Sequence, residues 1–287
     1  MVNVSEGRDD AALDLLAIVC DGVLADVHRD ADHHRAVLTL AGPAPAVEAA
    51  ARAVTAAAVA RLHLDGHRGS HPRFGVVDVV PFVPLEMDPD GRLRPPAALD
   101  AAVGARDRFA RWAADTLGLP CFLYGPLPGG GVRTLPEVRR GAFTGLAPDV
   151  GPAVPHPTAG ACAVGARGFL VAYNLWLDDR PDGLALARTV AAEVRGPAVR
   201  TLGLDVGGRA QVSCNLVDPF AVGPEALYDE VRALLEPYGA TIARCELVGL
   251  VPQAVRDAVT PARRDLLDLD AGATVEARLA PGRGAPG

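Results

Sequence analysis

Hydrophobic and polar positions change period along this chain, and the changes mark out its elements. Residues 10–20 carry an apolar pattern compatible with a helix, behind a polar start. Two runs rich in Val and Leu, 22–28 and 35–41, predict strands. Pro43 and Pro45 then open a long Ala-rich stretch to Leu62, which predicts a helix because Pro suits a first turn and Ala has the highest helix propensity. GVVDVVPFV, 75–83, is β-branched and predicts a strand, and 97–117 predicts a helix ending at Gly118 and Pro120. CFLYG predicts a short strand and 134–140 a short helix.

Residues 125–168 hold much of the chain's Gly and Pro and predict a long ordered loop around that short helix. Loops of this length in compact proteins are functional or disordered, and the flanking apolar residues favour function. Beyond Gly168 the pattern is cleaner. FLVAYNLWL predicts a strand, 181–195 a helix, VRTLGLDV and AQVSCNLVD two strands, 223–238 a helix and TIARCELVGLV a strand, which is the order βαββαβ of a split-βαβ sandwich. The expected architecture is therefore α/β (α+β) with two domains. A mixed sheet with external helices occupies 1–166, and a ferredoxin-like domain occupies 167–287 with a disordered tail from about 273.

Composition narrows the chemistry. With 287 residues, 49% hydrophobic, the chain is long enough for two cores. A net charge of −7 argues against coating nucleic acid or an anionic membrane, while leaving room for a local basic pocket. All 28 basic residues are Arg, so no Schiff-base lysine and no Lys-dependent phosphate loop is available. Cys20, Cys121, Cys162, Cys214 and Cys245 form no CxxC pair, which favours a reducing compartment. No secretory leader or membrane span is evident, so the expected location is cytoplasmic.

Six of the seven histidines fall within the first 71 residues. His63, His67 and His71 are four apart, as a helical metal triad would be, but Gly66, Gly69 and Pro72 break any helix there. The stretch reads as a surface loop with incidental histidines or as a loop using one imidazole as an acid–base, with a metal site the weaker reading.

HPRFGVVDVVPFVP, residues 71–84, resembles HPRMGATDVCPFxP of the glutamate formiminotransferases. Further segments resemble that family in the same order. NVSEGRD resembles PNFSEGRN, and RTLPEVRRGAFTGL resembles RxLxxIRxGEYEGL. GPAVPHPTAGACAVGARGFLVAYNLWL resembles GPxxxHPTxGAxxVGARxFLVAYNxxL, AQVSCNLVD resembles AQVSxNLxD, and ELVGLVP resembles ExVGLVP. The resemblance runs from Asn3 to Pro252 and covers a transferase without the ammonia-lyase domain fused to it in some members.

The resemblance implies transfer of a formimino group from N-formimino-L-glutamate to N5 of tetrahydrofolate, in histidine degradation and one-carbon metabolism, by a cytoplasmic homodimer without a metal. It puts the catalytic histidine at His71. It puts the folate-binding run at Gly151, Pro152, Ala153, Val154, Pro155, His156, Pro157, Thr158, Ala159 and Gly160, in a slot between the two domains. Arg35, Arg73 and Arg167 lie in matching segments and would meet carboxylates; Tyr124, Asn215 and His28 are expected wall residues. The sequence departs from the family near this chemistry, with His28 in place of an Asp, His34 in place of an Asn, and Ser70 in place of a Glu.

Overall fold

A computed structural model describes residues 1–69 and 73–279. These residues divide into two units, one made of Met1–Pro84 and Pro96–Arg167, the other of Leu85–Pro95 and the described residues from Gly168 onward.

The first unit begins with β1 (Val2–Val4), α1 (Asp10–Ile18), β2 (Leu24–Asp30), β3 (Arg35–Leu40), α2 (Ala44–Arg61) and β4 (Val77–Phe82). A short hairpin follows, β5 (Glu86–Met87) with β6 (Leu93–Arg94), and it belongs to the other unit. The first unit resumes with α3 (Asp100–Leu117), β7 (Cys121–Pro126), β8 (Val132–Arg133), α4 (Leu135–Gly141) and β9 (Cys162–Ala166). Its seven strands form one mixed sheet in the order β2-β3-β1-β4-β9-β7-β8. The β4–β9 and β9–β7 pairs are parallel and the others antiparallel.

Side chains alternate across a sheet, so each strand gives one set of residues to either face. Val2, Val4, Ala36, Leu38, Leu40, Val80, Cys162 and Val164 pack with α1, α2 and α3 in the main core. Small residues suffice because α2 presents Ala50, Ala51, Val54 and Ala58 to that core. The helix α3 stops where Gly118 adopts φ 63°, a left-handed cap that glycine accepts without strain.

The second unit continues with β10 (Val171–Leu177), α5 (Gly183–Val194), β11 (Val199–Val206), β12 (Arg209–Leu216), α6 (Pro224–Leu235) and β13 (Ile242–Val248), then α7 (Gln253–Asp257) and α8 (Val275–Leu279). Its sheet is antiparallel in the order β11-β12-β10-β13, the split βαββαβ arrangement that the sequence pattern predicts. Residues such as Tyr173, Leu175, Val212, Leu227 and Val231 build its core under α5 and α6. Among the described residues no helix is long and apolar enough to cross a membrane.

Three elements differ from expectation. The polar start contains the central strand β1, whose three residues are too few to show a period. The expected loop over 125–168 contains β9, which lies between β4 and β7; its residues, CAVGA, are too small to read as a strand. The tail expected to be disordered from about 273 is ordered over 273–279. There the Val251 N–H donates to the Ala273 carbonyl and the Val275 N–H to the Val251 carbonyl, and Glu276 accepts from the backbone of Leu93 and Gln253. Residues 280–287 lie outside the described residues.

Candidate active site

The face of the first sheet opposite the helices divides into a polar and an aromatic half. Cross-strand partners share a face. His28 pairs with Val37, which pairs with Asn3, which pairs with Val79; one step along, Asp30 pairs with Arg35. This row places His28, Arg35, Asn3 and Val79 on one face, with Val77 and Val80 turned to the helix-covered core. The register shift between Asn3 and Val4 brings the adjacent Asp78 to the same side, where Arg35 lies near it.

Asp78 is the organising group. It is 1% exposed, accepts the Phe74 backbone N–H at 3.0 Å, and forms an ion pair with Arg139 of α4. The arginine is aimed by local structure. Thr134 and Glu137 cap each other's end of α4 in a reciprocal box, and Val138 anchors the helix in the apolar patch beneath it. Arg35 lies near the same carboxylate and donates to the Asn3 side-chain oxygen. Burial brings the Arg35 pKa down to about 10; Asp78 opposes that shift, while Arg139 and Arg73 add to it. Burial also lowers Arg73, again against Asp78 and with Arg8 and Arg139. Three guanidinium groups therefore lie within electrostatic reach of one buried carboxylate.

The turn after β2 and the segment before β4 complete this half. His33 Nδ1 lies 2.8 Å from Asp30, and the His33 backbone N–H donates to the same carboxylate. Burial opposes ionisation of Asp30, yet these bonds hold it at about 2. The Glu6 carboxylate accepts the backbone N–H groups of Gly7, Arg8 and Asp9 at 2.7–3.0 Å. The rings of His34 and His67 stack at 3.9 Å, with Arg73 against His67.

The aromatic half covers β7 and β9. Phe122 meets Phe74 and Phe143 edge-on, at 5.9 and 5.0 Å between centroids, and Arg139 stands 5.9 Å over the Phe74 ring. Tyr124 lies across Gly165, where a Cβ would sit 2.0 Å from its Cζ, so only glycine fits. Its hydroxyl bonds to Arg167, and burial raises the Tyr124 pKa against that cation.

The run 151–160 has two parts. Gly151–Pro155 is exposed. His156 and Gly160 exchange backbone hydrogen bonds, and His156 Nδ1 accepts the N–H groups of Thr158 and Ala159 at 3.3 and 3.0 Å. Ala159 and Ala161 then bond to Val76 and Phe74, which ties this run to the approach to β4.

Of the residues singled out in the sequence, Arg35, Arg73 and His28 belong to the polar half, and Tyr124 with Arg167 to the aromatic half. Asn215 is exposed on β12 of the other unit. His71 lies outside the described residues. Sequence reasoning passed over Asp78 and Arg139 as site residues, and weighed His67 only within the loop of His63, His67 and His71. The signal for Asp78 was available: a single acid inside a β-branched strand is costly to bury without a partner. Among the described residues no group of three or more His, Cys, Asp or Glu is placed to hold a metal ion.

The fold and site define a two-unit α/β protein whose first sheet gathers arginines beside an aromatic patch. Residues 1–167 match the model of the formiminotransferase domain, N-terminal subdomain. The chain is 32% identical to the glutamate formimidoyltransferase of Streptococcus pyogenes serotype M1, over 87% of each chain. It is 31% identical to the glutamate formimidoyltransferase of Thermoplasma acidophilum, over 96% of this chain and 95% of that one. Against the formimidoyltransferase-cyclodeaminase of Sus scrofa the identity is 32% over 89% of this chain, which spans about half of that longer protein. The chain belongs to the formiminotransferase family and is a transferase.

Proposed function

We propose that this protein transfers the formimino group of N-formimino-L-glutamate to N5 of tetrahydrofolate, as part of histidine breakdown and one-carbon metabolism. The observation that carries this reading is the convergence of Arg35, Arg73 and Arg139 on Asp78 beside the aromatic patch. Formiminoglutamate brings two carboxylates and an amidine, and reduced folate brings a flat ring and a glutamate tail. Guanidinium groups bind carboxylates by paired hydrogen bonds, and aromatic side chains offer faces to a flat ring.

In the proposed reaction the folate N5 lone pair attacks the amidine carbon and forms a tetrahedral intermediate. The incoming nitrogen then loses a proton and the departing glutamate nitrogen gains one, as its bond to carbon breaks. His71 is proposed to accept the first proton and supply the second, a service typically worth about 10²–10⁴-fold in rate. The exposed run Gly151–Pro155, anchored through His156, is proposed to approach the folate. The proposal includes a cytoplasmic homodimer, checked by sedimentation and fractionation.

A second reading is favoured by one position. His28 shares the polar face with Arg35, where the family resemblance has an acid, so a related amidine donor or a different one-carbon acceptor suits this face as well.

The test is to mix the purified protein with tetrahydrofolate and formiminoglutamate, and to follow the absorbance of the cyclised folate after acid treatment. Turnover that vanishes in His71→Ala, with folate-dependent thermal stabilisation retained, is the expected result. Stabilisation without turnover in the unaltered protein indicates a folate binder. Full activity in His71→Ala removes that residue from the mechanism.

A further inference from the structure

The stacked pair His34 and His67 is not accounted for by the proton transfers above. His67 comes from the loop after α2, His34 from the turn between β2 and β3, and their ring centroids are 3.9 Å apart with planes 26° from parallel. His67 Nε2 donates to the Ser5 carbonyl at 2.9 Å, because that oxygen can only accept. Its Nδ1 must then be the acceptor for the Arg73 guanidinium. His34 Nδ1 lies 3.2 Å from the Gly7 backbone N–H, which goes chiefly to Glu6 at 2.8 Å, and 3.4 Å from the Glu6 carboxylate itself. His67 is thus held in one neutral tautomer by a donor that needs a lone pair.

The pair closes around Arg73. One end of that guanidinium donates to the His33 carbonyl at 2.8 Å and the other reaches His67, while the His34 carbonyl lies 3.5 Å away. The loop comes close enough at Gly69 that a Cβ would meet the His33 carbonyl at 2.3 Å and Arg73 at 2.6 Å. His34 adopts φ 48°, a left-handed conformation that Asn enters more readily than most residues.

We propose that His34 and His67 are positioning residues, a neutral imidazole clasp that fixes the Arg73 guanidinium in the arginine cluster and releases it when either ring gains a proton. The charged groups facing the clasp set how it titrates. Burial lowers His67, and Arg73 and His34 add to this, while Glu6 and the Ser5 carbonyl oppose. Burial likewise lowers His34, with Arg8 and Arg73 adding and Glu6, 3.4 Å from Nδ1, opposing. His33 is engaged with Asp30, and Asp78 and Arg139 lie beyond Arg73. Folded-state values below the usual 6.5 mean that the clasp is intact above that pH. It is lost as pH falls through the lowered values.

The role of Arg73 as a substrate-carboxylate contact rests on the proposed function, but the clasp itself is measurable without substrate. Nitrogen-15 spectra of the full chain near neutral pH should show both rings neutral with His67 protonated at Nε2 alone, and the protection of amides 67–69, corrected for their intrinsic exchange rates, should fall on acidification. His67 protonated at Nδ1, or either ring charged at neutral pH, overturns the proposal. His67→Gln retains one donor for Ser5 and one acceptor for Arg73 without a titrating group. It should keep KM for the carboxylated donor within about threefold and weaken the acid-side rise in KM. His67→Ala should raise KM about tenfold or more with kcat little changed. Equal damage from Gln and Ala, or an unchanged KM in His67→Ala, rejects the positioning role. The expected His67 tautomer and acid-induced loss of protection without turnover of formiminoglutamate would reject the proposed reaction and support the clasp.

Discussion

Each unit packs helices on one face of a sheet, α1 to α3 in the first and α5 with α6 in the second, and the two opposite faces treat charge in different ways. On the second sheet, Glu246 accepts Asn174 Nδ2 and Trp176 Nε1, both at 3.0 Å, and Arg244 lies 3.6 Å from its other oxygen. Arg209 and Arg244 lie against the Trp176 ring at 5.4 and 4.8 Å. Here one acid, two neutral donors and a ring absorb two cations. On the first sheet, Arg35, Arg73 and Arg139 share Asp78, and Asp30 is already engaged by His33. The difference is one of pattern: the first face gathers three guanidinium groups near one buried acid, whereas the second spreads two cations over an acid and a ring.

Matched charge removals should break that symmetry. Asp78→Asn keeps an acceptor for the Phe74 N–H but leaves three guanidinium groups around a neutral side chain. Breaking a buried pair by removing one partner typically costs about 3–5 kcal/mol, and that is the expected loss in urea unfolding. Added carboxylate ligand should recover part of it, which a purely structural ion pair would not show. A loss comparable to that of a surface substitution would mean the three guanidinium groups do not depend on Asp78.

The next largest effect concerns the aromatic half of the first face. In Gly165→Ala the new methyl would lie 2.0 Å from Tyr124 Cζ, so the ring must leave β9 and its bond to Arg167 must break. Overpacking of this kind costs about 1–3 kcal/mol, read as a lower unfolding midpoint. Near-ultraviolet dichroism should change with it, since Tyr124 is one of four tyrosines. An unchanged midpoint would show that the ring has a second resting place.

The long periodic elements were legible in the sequence because their patterns extend over many residues. The βαββαβ order, α2 and α3 all follow from such runs. The centre of the first sheet was not: β1 has three residues and β9 consists of CAVGA, so neither offers a period or bulk. The site was legible where charge stood out by type, as with Arg35 and Arg73. Arg139 stayed hidden among exposed-looking arginines of a short helix, because what singles it out is Asp78, sixty-one positions away in sequence. The His34–His67 stack depends likewise on a left-handed turn at His34 that no local pattern announces.

The smallest expected effect is the counterpart of the first. Glu246→Gln preserves the size of the side chain and one carbonyl-type acceptor, and it removes the charge that faces Arg244. That arginine is about half exposed, so water takes over much of its solvation, and an exposed ion pair is worth only about 0–1 kcal/mol. The loss should come mainly from weaker acceptance of Asn174 and Trp176, roughly 0.5–1.5 kcal/mol for such hydrogen bonds. Tryptophan fluorescence should shift, because Trp176 would donate to a neutral oxygen, while catalytic constants should stay within about twofold. A loss as large as that of Asp78→Asn would show that the second face depends on a single acid as heavily as the first, and the electrostatic contrast between the two sheets would fail.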